Sequence, residues 1–180
     1  MPEQKERADM QRVLRSGVQW LTHAAEDEEA CRDTWKYDPR SPYPLPIGPC
    51  FELLAVDQEL ALETFDQLRR RELPAGPVLA DWAARKVGFM LAPGSRDLFL
   101  RALARQTDTP PAYRYLETDA VVVVPGPLTM TGDRYEWLLP PVGEIGSSPL
   151  VASALAVMLA ASAALIERAA HFGEADCNAG

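Results

Sequence analysis

The spacing of apolar residues predicts helices that alternate with short strands. Residues 8–25 have helical spacing, and an acidic run then precedes a short helix through Trp35. Residues 38–49 are rich in proline, which removes an amide donor and favours an extended or looped segment. The next predicted elements are a strand at 50–56, a helix at 57–71, strands at 78–80 and 86–91, a helix at 95–105 and strands at 113–116, 120–124 and 135–138. This order predicts an α+β fold in which helices flank a mixed β-sheet.

Two local structures follow from this pattern. The apolar run at 120–124, the Pro/Gly loop after it and a strand with Tyr135 and Trp137 on one face are typical of a β-hairpin. Asp57 directly follows a predicted strand, and Ser95 follows a Pro-Gly pair. Since each residue begins a predicted helix, we expect its side chain to cap that helix by accepting amide hydrogen bonds.

The segment 149–166 contains no charged residue and, at about 18 residues, lies at the lower limit for crossing a bilayer. Its large apolar residues recur every three or four positions, so they form one stripe of a helix with alanines on the opposite face. We therefore expect a buried or dimer-forming helix, with a membrane span as the alternative. The alanines predicted to form an association surface are Ala152, Ala156, Ala160 and Ala163.

Composition limits the classes of function. A net charge of -8 repels phosphate backbones, so we expect weak nucleic-acid binding at most. The three cysteines form no CxxC pair and there are two histidines, which excludes a zinc site of the common spacing. We expect no bound metal and no cofactor. The charged N-terminus lacks the apolar segment of a signal peptide, which favours a cytoplasmic protein.

Five segments of this chain occur in an order known from one protein family. They are the segment around Trp35, Pro-Leu-Pro-Ile-Gly at 44–48, Phe-Glu-Leu-Leu-Ala-Val-Asp at 51–57, Arg-Lys-Val-Gly-Phe-Met at 85–90 and the segment 121–137. Their order resembles the N-terminal domain of bifunctional primase–polymerases, a domain related to archaeo-eukaryotic primases. The chain looks most like the short actinobacterial proteins of this family. The resemblance covers about residues 28–141. We expect this core, a helical segment at 1–27 and a C-terminal helix and tail at 142–180 to form a single domain.

The resemblance also implies a set of catalytic positions. In the family an acidic pair and a third carboxylate hold two divalent metals, and a histidine contacts substrate phosphate. The acidic pair falls on Ala55 and Asp57, and the histidine falls on or beside Lys86. The third carboxylate falls near Arg114, with Glu117 or Asp119 as substitutes. Because metal clamping of the reacting oxygens needs hard oxygen ligands, these replacements argue against catalysis.

Three hypotheses about function follow. The first is a catalytically inactive primase–polymerase-like protein that acts as a regulatory or interaction module, with a protein partner or a second copy of itself. The second is a nucleotide- or nucleic-acid-binding domain that uses a remnant cleft of Asp57, Arg85, Lys86 and Arg114. The third is an active nucleotidyltransferase with relocated ligands. Tyr135 and Trp137 are either a half-buried strand face or a base-stacking platform.

Overall fold

The computed structural model describes the backbone of residues 15–177 and the side chains of residues 15–171. It confirms the α+β class. The helices described are α1 at 15–23, α2 (Glu28–Tyr37), α3 (Gln58–Arg70), α4 (Arg96–Ala104) and α5 (Pro149–Cys177). The strands are β1 (Tyr43–Ile47), β2 (Glu52–Asp57), β3 (Val78–Asp81), β4 (Lys86–Leu91), β5 (Tyr113–Leu116), β6 (Ala120–Val124) and β7 (Tyr135–Leu139). The first part of the helix predicted at 8–25 lies outside the described residues.

Two β-sheets organise the described chain. Five strands form a sheet in the order β5-β2-β4-β3-β7, and β1 and β6 form a separate pair. All pairings between these strands are antiparallel, so the sheet is not the mixed one we expected. The reason is that the connection through α3 leaves room for one strand between β2 and β3. The chain then turns back after β3, and β4 fills this position, so β4 is the antiparallel neighbour of both β2 and β3.

The predicted hairpin between β6 and β7 is wrong. β6 pairs with β1, and β7 pairs with the edge of the large sheet at β3. β1 carries Pro44 and Pro46, which cannot donate ladder hydrogen bonds and are therefore confined to edge positions. Its alternate residues Leu45 and Ile47 are buried in the same apolar cluster as Val124 of β6. Burial of this shared apolar face holds β6 on β1 and leaves β7 to pair elsewhere.

The large sheet carries a hydrophobic core on each face, because side chains alternate along a strand. On one face, Leu54 and Val56 of β2 join a cluster with the helices α3, α4 and α5. On the other face, Leu53 joins a cluster with α1, α2 and the β1–β6 pair, in which Trp20 and Leu21 of α1 are buried. Ala55, the next β2 residue on this face, belongs to neither cluster and is partly exposed. At Ala55 the sheet face borders a cavity that Val121, Val122 and Val123 of β6 also line.

The alanine face of α5 packs against the protein's own core. Ala152 and Ala156 are 1% and 0% exposed and lie in the cluster formed with α3 and α4. Their assignment to an association surface is therefore wrong, because small side chains serve close packing within a domain as well as between copies. Ala160 is partly buried against the same cluster, and Ala163 is half-buried. The residues of this helix that remain exposed include Ala161, Ala164 and Leu165.

Helix α5 is also long and apolar enough to cross a membrane by length and composition. The stretch Pro149–His171 has a mean hydropathy of 2.2 in an 18-residue window. Of that window, 39% is buried inside the protein. Because the core helix of a soluble protein has the same composition, hydropathy alone does not assign this helix to a bilayer.

Candidate functional site

The part of the large sheet around Ala55 borders a cleft, which we define by Ala55, Asp57, Lys86, Arg114 and Tyr135. It consists of two adjoining cavities of about 390 and 350 Å³. Ala55, Lys86 and Arg114 line both cavities, so the two lie side by side. Their volumes are at the lower end of the range for small-molecule sites, which is about 300–1,000 Å³.

A row of side chains across three strands forms the floor of the cleft. Ala55 of β2 lies opposite Arg114 of β5 on one side and Gly88 of β4 on the other. Ala55 and Gly88 have the smallest side chains, and a Cβ atom at Gly88 would approach Leu53 Cδ1 to 2.9 Å. The Leu53 side chain therefore covers Gly88, and the small, partly exposed Ala55 forms the floor beside Arg114. The Arg114 side chain is exposed, and no ion pair or hydrogen bond joins it to any other described residue.

A second row of side chains carries the charges of the cleft. In register across the strands lie Asp57, Lys86, Asp81 and Tyr135. The Lys86 ammonium donates a hydrogen bond to the Asp57 carboxylate and forms an ion pair with it. The predicted cap at Asp57 is wrong, since its side chain bonds no amide of α3. Instead the first amide of α3 donates to the carbonyl of Arg85 at 2.9 Å, so the carboxylate is free to face the cleft.

Asp81 adds a second carboxylate to this row, and this carboxylate is paired with Arg134. The Arg134 guanidinium donates from Nε and Nη2 to the two Asp81 oxygens at 3.0 and 2.9 Å, a fork geometry that strengthens the pair. These hydrogen bonds hold the pKa of Asp81 below its ordinary value. The same guanidinium lies over the Tyr135 ring, 4.8 Å from its centroid. Both carboxylates in this row therefore have a cation of their own.

A buried carboxylate on the opposite face fixes the strand that carries Arg114. Glu52 of β2 is 5% exposed and accepts hydrogen bonds from the Gly94 and Ser95 amides at 2.5 and 3.1 Å. It also accepts one from the Tyr115 hydroxyl at 2.5 Å. Burial, and then this hydrogen bond, raise the pKa of Tyr115. The predicted cap at Ser95 is wrong, because its hydroxyl donates to the Ala92 carbonyl and Glu52 accepts the amides instead.

The chain matches the family model described as bifunctional DNA primase/polymerase, N-terminal, over residues 3–151. It belongs to this primase–polymerase family. The match extends beyond both ends of the resemblance at 28–141 and includes all of the cleft. No curated protein and no solved structure matches the chain.

In this primase–polymerase domain, three of the four residues predicted for the remnant cleft come together. Asp57, Lys86 and Arg114 line one cavity around Ala55. Arg85 is exposed in the turn between β3 and β4, with a φ of 54°, and its side chain lines neither cavity. The prediction for Arg85 is therefore wrong, since it acts here through its backbone carbonyl.

The predicted stacking pair is divided between two environments. Tyr135 lines the cleft. Trp137 lies opposite Leu79 and packs, partly buried, against the core under the small sheet.

Asp81 was missed because the predicted strand ended at Ala80, which placed Asp81 in the turn. The signal for it was the alternation of β3, which places Leu79 and Asp81 on one face.

The substitutes considered for the third carboxylate lie outside the cleft. Glu117 accepts a hydrogen bond from Arg96 at 3.4 Å. Asp119 lines a separate depression between β1 and β6, next to Ala120 and Pro46. Among residues 15–171, no three His, Cys, Asp or Glu side chains are grouped so that they could hold a metal ion. The residues present in the cleft therefore do not fit the pair of divalent metals that nucleotidyl transfer requires.

Proposed function

We propose that this primase–polymerase family protein does not catalyse nucleotidyl transfer and acts as a regulatory or protein-interaction module. The observation that carries this proposal is the set of side chains around Ala55. Arg114 lies directly opposite Ala55, and the neighbouring carboxylate of Asp57 is bonded to the Lys86 ammonium. Two positions that the resemblance assigns to metal ligands thus hold a methyl group and a guanidinium. A lysine ammonium is bound where a divalent cation would be needed.

Electrostatics oppose the entry of a metal into this arrangement. Two unit charges 4 Å apart interact by about 4 kcal/mol at an effective dielectric constant of about 20. Repulsion of a divalent ion by Lys86 or Arg114 is roughly twice as large before screening by solvent. The two carboxylates of the row, Asp57 and Asp81, are already paired with Lys86 and Arg134 and offer too little compensation. Without the two metal ions, the attacking and leaving oxygens of the displacement would not be stabilised.

We expect the partner of this module to be a protein, or a second copy of the chain, in the cytoplasm. The exposed side of α5 supports this expectation. A groove of about 530 Å³ runs beside it, and its lining includes Leu60, Pro110, Ala161 and Ala164. In this proposal the apolar composition of α5 serves packing within the domain and association with a partner, and the helix does not anchor the protein in a membrane.

A second candidate function is nucleotide binding in the cleft. The observation that favours it is Arg114, which has no ion-pair partner among the described residues and borders a cavity of about 390 Å³. Long nucleic acids are less favourable ligands, because the net charge of -8 repels a phosphate backbone. Few phosphates can be neutralised, so such binding should be weak and should decline as salt is added.

Primer extension and primer synthesis test the proposed loss of catalysis. We expect no product from the purified protein with Mg²⁺ or Mn²⁺ on primed or unprimed templates, because the cleft lacks ligands for the metal pair. Asp57→Ala serves as the matched variant and should give the same blank result. Extension that depends on the metal and disappears in Asp57→Ala would refute the proposal and restore an enzymatic function.

A further inference from the structure

We propose that β6 binds an extended acidic segment of a partner protein as an added β-strand, at the edge of β6 that faces away from β1. This site rests on the proposed function, because it supplies the interaction module with its binding surface and its class of partner. β6 pairs with β1, and no other described strand pairs with it. An unpaired strand edge presents N–H and C=O groups to which a further strand can bond.

The two prolines of β1 determine which groups of β6 point to its free edge. In an antiparallel pair, residue pairs that exchange two hydrogen bonds alternate with residue pairs that exchange none. Pro44 and Pro46 have no N–H, so they take the positions that exchange none, opposite Val123 and Val121. The N–H and C=O groups of Val121 and Val123 therefore point away from β1. No other backbone group of the described residues bonds them.

The free edge of β6 faces the second cavity of the cleft. Val121, Val122 and Val123 all line this cavity of about 350 Å³, and none of the β1 residues lines it. Successive side chains of a strand point to opposite faces. Three consecutive residues therefore line one cavity through the strand edge that they share. A segment that pairs with this edge lies in the cleft, about 4.8 Å from β6.

The composition of β6 leaves this edge suitable for pairing. Proteins commonly protect an edge strand with a proline, a charged side chain or a bulge. β1 carries two prolines, whereas β6 is Ala-Val-Val-Val-Val and pairs with β1 in a regular register. Val121 is 65% exposed. The outer edge of β1 is thus blocked, and the outer edge of β6 is available to a partner.

Arg114 favours an acidic side chain in the partner. A partner residue opposite Val122 has its side chain on the same face as Val122. Val122 packs against the cluster that contains Leu53 and Leu79, so this face is directed at the large sheet. Arg114 lines the same cavity and forms no ion pair with any described residue. A carboxylate opposite Val122 therefore meets an uncompensated guanidinium, which binds it in a fork geometry.

The other charges of the cleft do not oppose an acidic partner. They form two ion pairs, Asp57 with Lys86 and Asp81 with Arg134. Each pair has no net charge, so Arg114 determines the sign of the charge that a ligand meets. A basic segment would be repelled by Arg114 and would find no free carboxylate among these four side chains.

Selection from a display library of random peptides tests the site, with the full chain immobilised as wild type and as Val121→Pro. Proline at this position removes an N–H of the free edge and leaves the bonds to β1 in place, as Pro46 opposite it does. We expect the wild type to enrich peptides with Asp or Glu among β-branched residues, which favour strands. Titration should show that an enriched peptide binds Val121→Pro at least about tenfold more weakly, because edge hydrogen bonds are lost.

The matched control is Val121→Thr, which keeps the N–H and the β-branched shape. It should bind the enriched peptide within about twofold of the wild-type affinity. Methylation of the peptide's own backbone nitrogens should abolish binding to the unaltered protein, which tests the ladder without any effect on folding. Arg114→Ala should weaken the acidic peptide about tenfold and leave its Asn or Gln counterpart unchanged.

Three results would overturn the site. They are the enrichment of no peptide, equal affinity of the enriched peptides for Val121→Pro and Val121→Thr, and the enrichment of basic or neutral peptides. A wild-type dimer that Val121→Pro converts to monomer in sedimentation would also overturn it, because the edge would then pair with a second copy of the chain. All of these results leave the proposed loss of catalysis intact. Primer extension that disappears in Asp57→Ala would refute that loss without changing the peptide result.

Discussion

Replacement of Glu52 by alanine should lower the free energy of unfolding by about 3 kcal/mol or more. The side chain is 5% exposed, and its carboxylate accepts hydrogen bonds from the Gly94 amide, the Ser95 amide and the Tyr115 hydroxyl. Alanine would leave three donors without this acceptor, and a buried unsatisfied polar group costs about 1–3 kcal/mol. Urea denaturation followed by circular dichroism measures the loss.

Two further variants separate this effect from a general loss of charge. Glu117→Ala removes an exposed carboxylate near the end of β5 that bonds Arg96 at 3.4 Å, and it should change stability by less than about 1 kcal/mol. Tyr115→Phe removes one of the three donors and should cost about 1 kcal/mol. Wild-type stability of Glu52→Ala, or equal losses for Glu52→Ala and Glu117→Ala, would show that Glu52 does not join β2, β5 and α4 as described.

Replacement of Ala156 by glutamate should unfold the protein or lower its free energy of unfolding by several kcal/mol. Ala156 is 0% exposed in the core that α5 shares with α3 and α4. A carboxylate placed there would be buried without a partner, which is costly. Ala156→Leu is the milder variant, and overpacking should cost about 1–3 kcal/mol. Thermal denaturation compares both variants with the wild-type protein.

The control for this prediction is Ala164→Glu. Ala164 lies about two turns after Ala156 in α5, but on the exposed side of the helix. It should change the free energy of unfolding by no more than about 0.5 kcal/mol, as is usual for surface substitutions. If the chain associates through this side, sedimentation of Ala164→Glu should also shift toward monomer. Stable Ala156→Glu together with unstable Ala164→Glu would contradict the packing of α5.

The sequence predicted the elements better than their partners. The bounds of β4, β5 and β6 were predicted from local composition to the residue. The pairing of β6 with β1 could not be predicted, because it depends on an apolar face of a proline-rich segment that the sequence left as either extended or looped. The caps at Asp57 and Ser95 failed for a related reason. Asp57 bonds Lys86, which is distant in sequence, and Glu52, also distant, accepts the Ser95 amide while the Ser95 hydroxyl donates to the Ala92 carbonyl.

For the candidate site, strand alternation determined what could be foreseen. Ala55 and Asp57 lie on one face because they are two residues apart in β2, and the register then places Arg114 and Lys86 beside them. Arg85 could not be placed in this way, because it lies in a turn, where alternation ends. Burial of the alanine face of α5 was not predictable, since alanine is equally suited to a domain core and to an interface.

The measurement that tests the central claim most directly is Mn²⁺ binding followed by electron paramagnetic resonance. The claim is that basic and apolar side chains stand in the cleft where metal ligands would be needed. We predict no cleft-bound Mn²⁺ in the wild-type protein at millimolar metal, and a new site in the double variant Ala55→Asp/Arg114→Glu. That variant places two carboxylates opposite each other, with Cα atoms about 5 Å apart, beside Asp57. Wild-type protein that binds two Mn²⁺ ions and loses them in Asp57→Ala would contradict the claim.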